Sequence, residues 1–165
     1  ENPKPIIDQR EYEISPFEIN ETDKKSENVI FFDNETNFKF FSLDKYKKIY
    51  CILLSPKERK VALSNKVLEY KKNLIKNQIK ESNSNIEFVD GKEFTDLSNS
   101  VKDFDAIYPG VGENMSFIKR IINTNDLKIN YLVREEDKFC WQFSNKGYFN
   151  FKSNIPKILS KFKLI

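Results

Sequence analysis

Short apolar runs alternate with longer stretches in which apolar positions recur at helical spacing. VIFF (29–32) and FKFF (38–41) flank DNET, a pairing that predicts a hairpin. IYCILL (49–54) is apolar throughout and stops before Pro56, as a central strand covered on both faces does. Ser55 and Glu58 stand at capping-box spacing around Pro56, and they predict a helix over 56–82. Val61, Leu63, Val67, Leu68, Tyr70, Leu74, Ile75 and Ile79 would share its inner arc. Lys66, Lys72, Lys76 and Lys80 would form a basic outer face.

IEFV predicts a strand, KEFTDLSNSV a short helix, FDAIYP a strand, MSFIKRII a helix and INYLVR a strand. Strand and helix alternate, which implies parallel crossovers. Beyond them, KFCWQF and GYFNF alternate with period two, and EEDK and SNKG read as the turns of an antiparallel meander. NIPKILSKFKLI closes the chain as a helix with Pro156 in its first turn. The expected fold is α/β: a Rossmann-like three-layer sandwich with a mixed sheet, parallel crossovers followed by a C-terminal antiparallel β-meander. Residues 1–27 hold three of the six prolines and little periodicity. They are expected to form an extended N-terminal arm, docked through Ile6, Ile7, Tyr12, Ile14 and Phe17, with 28–165 as a single α/β domain.

The chain's 165 residues suit one domain with a sizeable core. Its net charge of +3 hides an uneven distribution. Residues 1–28 carry eight acids and four bases, 57–80 carry eight bases and two acids, and 152–165 carry four lysines and no acid. An acidic arm and a basic face follow. The face could attract nucleic acid, another phosphate-bearing ligand or an acidic surface, although a charge run is also what keeps a protein in solution.

No apolar run reaches transmembrane length. A cytoplasmic or nucleoid-associated location is expected, with secretion left open because the chain starts at Glu1 rather than Met. The sequons at Asn20, Asn34 and Asn114 are what chance gives in an Asn-rich chain. Cys51 and Cys140 lie in apolar runs and are expected to be buried free thiols.

Histidine is absent, which excludes histidine-based triads and histidine-bearing zinc motifs. In IYPGVGENMSFIKRI (107–121) two glycines separate a strand from a helix. The loop lacks the G-K-[ST] of a Walker A motif, and the third position of G-x-G-x-x-G falls on Met115. General physics still applies. Gly110 and Gly112 permit close backbone approach, and a helix starting near Asn114 offers free N–H groups. Ser55, Lys57, Arg59 and Lys60 form a second strand-to-helix loop with positive charge. Both loops belong at the carboxyl ends of parallel strands, where α/β ligands bind. Each is also an ordinary turn or cap. Asp33, Asp90 and Asp105 stand near strand ends, with Glu113 and Glu135 further along, and Asp90 and Asp105 are the candidates for carboxylates around Mg²⁺. The aromatics and lysines of 138–152 read as core packing, or else as a stacking face for single-stranded nucleic acid.

Three readings follow. The leading one is a phosphate-ligand binding domain that binds nucleic acid through its basic face. The second is a non-catalytic protein–protein interaction or assembly module that uses the arm for a partner or for self-association. The third is a Mg²⁺-dependent nuclease or phosphohydrolase. No cofactor is implied outside the third.

Overall fold

The computed structural model describes residues 25–35, 37–79, 85–144 and 147–164. Most of the N-terminal arm, and Lys80 of the basic face, lie outside these residues. Five strands form one sheet: β1 (Asn28–Phe32), β2 (Lys48–Ile52), β3 (Ile86–Val89), β4 (Asp103–Ile107) and β5 (Lys128–Leu132). Their order is β3-β2-β1-β4-β5, and all four pairings are parallel. Helices α1 (Asn65–Ile79), α2 (Gly91–Ser100) and α3 (Glu113–Asn125) are the crossovers; α4 (Glu135–Trp141) and α5 (Tyr148–Lys161) follow the last strand. This is the Rossmann-like α/β sandwich that the alternation of elements predicts.

Alternation along β1 sets the two cores. Ile30 and Phe32 face α2 and α3, where they join Tyr50, Ile52, Phe94, Phe104, Phe117 and Ile118. Val29 and Phe31 face α1, with Cys51, Ile75, Ile79 and Ile107. β1 is covered on both faces, which is why its sequence is an unbroken apolar run.

Five expectations fail. The sheet is not mixed. Residues 138–141 and 148–151 are helical, so the antiparallel meander does not form. Phe139 and Phe143 are two positions from Trp141 but four from each other, and the helical spacing wins: their rings meet edge-on at 5.4 Å, and Phe162 closes on Phe139 at 5.6 Å. The acids Glu135, Glu136 and Asp137 are the first turn of α4, where negative charge offsets the helix dipole, rather than a hairpin turn. The hairpin at 29–41 is also absent. Both edges of β1 are taken by β2 and β4. FKFF therefore folds into a turn, with Phe38 edge-on against Phe31 at 4.8 Å.

The long helix over 56–82 is broken. Pro56–Glu58 is a single 3-10 turn, Arg59 is extended, and α1 starts only at Asn65, with the Ser64 hydroxyl accepting the Val67 N–H at 3.4 Å. The inner stripe of α1 is correspondingly rotated. Ile75 and Ile79 are buried, while Val61, Val67 and Tyr70 are exposed. Finally, Cys51 is fully buried as expected but Cys140 is only half-buried. α5 starts earlier than the sequence suggests, so Pro156 lies inside it rather than in its first turn.

Candidate functional site

The strand order reverses between β1 and β4, because β1 leads away to β2 on one side while β4 lies on the other. In an open parallel sheet this switch point leaves a crevice at the carboxyl edge. Asp33 sits there, one residue past the end of β1, with a side chain only 1% exposed. Its Oδ2 accepts from Arg59 Nη2 at 2.9 Å and from Lys71 Nζ at 2.8 Å. Its Oδ1 accepts from Asn114 Nδ2 at 3.2 Å. Arg59 is itself 8% exposed and also donates from Nε to the Leu54 carbonyl at 3.2 Å. A buried carboxylate is tolerable only with such partners.

The two loops singled out in the sequence meet here, although β2 and β4 are not neighbours. Glu113, the first residue of α3, accepts the Lys60 N–H at 2.5 Å and stands 3.5 Å from Arg59 Nη1. Asn114 Nδ2 also reaches Asn34 Oδ1 at 3.1 Å, and Asn34 Nδ2 donates to the Pro109 carbonyl at 2.9 Å. The exits of β1, β2 and β4 are thus one hydrogen-bonded unit. Glu58 extends it to β3: Oε2 accepts the N–H groups of Ser55 at 2.7 Å and of Gly91 at 3.2 Å. Gly91 has no room for a side chain. A Cβ there would lie 2.5 Å from Glu58 Oε1 and 2.9 Å from Phe117.

Gly110 and Gly112 have φ of +72° and +123°, so both use the freedom that glycine alone offers cheaply. No buried group abuts either one, and their role is to shape the loop. The loop forms one wall of an open hollow of about 600 Å³, with Asn34, Phe40, Tyr108, Arg134 and Trp141 on its other sides. Tyr108 and Trp141 pack edge-on at 5.3 Å. Arg134, just past β5, donates to Glu35 at 2.6 Å and to Asp137 at 3.3 Å, and its guanidinium lies 5.7 Å and 5.6 Å from the Phe40 and Phe41 rings. With Glu35, Glu136 and Asp137 around a single arginine, the hollow is aromatic and net acidic.

The sequence-selected residues separate accordingly. Arg59 and Asn114 converge on Asp33, Ser55, Gly110 and Gly112 lie in the loops that carry them, and the Lys57 and Lys60 side chains are exposed. Arg59 is committed to Asp33 and Glu113. Lys66 and Lys76 are exposed on α1, whereas Lys72 is half-buried with its ammonium 5.0 Å from the Phe88 ring, and Lys76 reaches the same ring at 5.8 Å.

The carboxylates proposed for Mg²⁺ do not meet. Asp90 caps α2, accepting the Glu93 N–H at 2.8 Å, at the β3 edge of the sheet. Asp105 lies inside β4, with β2 and β1 between it and β3, opposite Val29 near the start of β1. It accepts from Tyr46 Oη at 2.8 Å, Asn130 Nδ2 at 2.9 Å and the Lys25 N–H at 3.0 Å. Burial first, and then this carboxylate, push the Tyr46 phenol well above its ordinary range. Among the described residues no group of three or more Cys, Asp and Glu could hold a metal ion.

Lys71 and Arg134 were not legible as site residues, and Trp141 was legible only as part of an aromatic stacking face on a strand. Lys71 looks like one more surface lysine, and Trp141 falls in a segment whose period reads as strand. Arg134 could have been found from its position at a strand's carboxyl end. Comparison with family models, with curated proteins and with solved structures finds no match for the chain.

Proposed function

We propose that this domain binds a phosphate-bearing nucleotide unit at the switch point, either free or within a nucleic acid strand. The observation that carries this reading is the convergence of the β1, β2 and β4 exits beside a hollow walled by Phe40, Tyr108 and Trp141. Aromatic walls suit a base, which stacks without needing charge. The acids of the hollow repel phosphate, so the phosphate belongs on the other side of the glycine loop. Lys60, whose N–H reaches Glu113 at the α3 terminus, and Lys57 are both exposed. Glu113 opposes it in part, which favours a ligand held by exposed lysines over one gripped by the helix end. For a polymer, Lys66 and Lys76 on α1 extend the cationic track, and such contacts position the strand without reading its bases.

Trp141 is the only tryptophan, so its fluorescence reports on the hollow directly. Titration with a mononucleotide, the matching nucleoside and a single-stranded oligonucleotide tests the reading. Saturable quenching by the nucleotide, weaker with the nucleoside, is expected. Lys57→Glu with Lys60→Glu should weaken nucleotide binding by about tenfold, as loss of about 1.4 kcal/mol does. Lys66→Glu with Lys76→Glu should affect only the oligonucleotide, whose affinity should also fall as salt rises. Failure of nucleotide and oligonucleotide alike to change the signal at millimolar concentration would overturn the proposal.

A further inference from the structure

We propose that α5 is a docking face for an anionic lipid surface. The helix is attached to the domain through α4. Ile158 is its one buried residue; Lys157 and Lys161 lie over the Phe143 and Phe139 rings at 5.3 Å and 6.0 Å, and Asn150 Nδ2 donates to the Phe143 carbonyl at 2.7 Å. The outward side of the helix carries large apolar groups. Tyr148 is 68% exposed, Phe149 82% and Ile155 37%, with Leu164 at 65% just past the helix end. Tyr148, Lys152 and Ile155 are spaced as one row along the helix, and Phe149 stands beside it.

Charge decides what covers this row. From residue 138 to the end of the chain there are six lysines and no acid. Apolar groups interspersed with Lys152 and Lys163, on a helix that itself carries no acid, suit a helix lying in the plane of a membrane interface. Anionic headgroups draw in the lysines, while the aromatic and aliphatic side chains enter the acyl boundary. No described helix is long and apolar enough to cross a membrane, and this mode of attachment needs none. Tyr148 and Phe149 could instead stack on bases, but Ile155 and Leu164 have no π-face to offer. The four together fit lipid better than nucleic acid.

Co-sedimentation of the full chain with vesicles tests the proposal. The protein should pellet with vesicles of phosphatidylcholine mixed with phosphatidylglycerol and stay in the supernatant with phosphatidylcholine alone. Phe149→Ser with Ile155→Ser should lower the partition at least about tenfold, since two apolar side chains lose their burial. Both sites are exposed in the domain, so circular dichroism of this variant should match the parent. Lys152→Glu with Lys163→Glu should abolish the preference for anionic vesicles. The proposal falls if the full chain ignores anionic vesicles, or if the serine pair binds them as the parent does. It falls also if the serine pair loses oligonucleotide binding while vesicle binding is unchanged, because the face would then be a stacking platform.

Discussion

Asp33 is the residue on which the carboxyl edge of the sheet depends. Its carboxylate holds two cations and an amide in a place almost closed to water, so its value lies in the charges that it keeps paired. Asp33→Ala should cost about 3–5 kcal/mol, because Arg59 and Lys71 lose their counter-charge while Arg59 stays buried. Adding Arg59→Met should recover part of that loss, since an apolar side chain of similar length needs no partner. Urea unfolding of the two variants measures both effects; equal stability of the single and double variants would show that Arg59 is not held by Asp33. Asp33 was legible as an acid near a strand end. Its partner Lys71, on a helix 38 residues further along the chain, was not.

Among the elements, α5 carries the plainest local conflict. Pro156 lies inside it and supplies no N–H for the turn before it, an arrangement that costs up to about 3 kcal/mol in a helix interior. Pro156→Ala should therefore raise helix content and slow amide exchange across 152–160, with little change in the sheet. Native-state hydrogen exchange separates the two regions. Uniform slowing throughout the chain would mean that α5 unfolds only with the whole domain. α4 and α5 also show where local pattern misleads. Phe139, Trp141 and Phe143 satisfy the strand period and, through Phe139 and Phe143, the helical one. The choice was made by Phe162, which meets Phe139 only in the helical hairpin.

Across the molecule, half-buried phenols tie stability to alkaline pH. Burial first, and then neighbouring Tyr108, push Tyr131 up to about 12 from an ordinary value of 10.0, and Tyr46 is displaced in the same direction. Both are neutral at pH 7 whether the chain is folded or not, so they leave stability unchanged there. Once the pH passes 10 the unfolded chain releases these protons and the folded one keeps them. Stability should therefore fall with rising pH, for Tyr131 over the window from 10 to about 12. Thermal melts at stepped alkaline pH, read beside the phenolate absorbance, check this. Replacing Tyr131 by Phe should flatten part of the decline, and an unchanged slope would refute its contribution.

The sequence by itself determined what local chemistry can determine. An unbroken apolar run marked β2 as a strand covered on both faces, alternation with amphipathic stretches implied parallel crossovers, and the Ser55–Glu58 spacing foretold the contact that Glu58 makes with the Ser55 N–H. Gly110 and Gly112 were readable as positions of close backbone approach, whereas the structure uses them for their positive φ. Tertiary structure alone decided the rest. It placed β1 between β2 and β4, which left FKFF no edge to pair with, and it pulled Arg59 inward to Asp33, which ended the predicted helix before it could form. It brought the β2 and β4 loops together across the end of β1, and it kept Asp90 and Asp105 apart with two strands between them. The physical reason is common to all of these. Edges, partners and buried charges are settled by residues distant in the chain, and no local period records them.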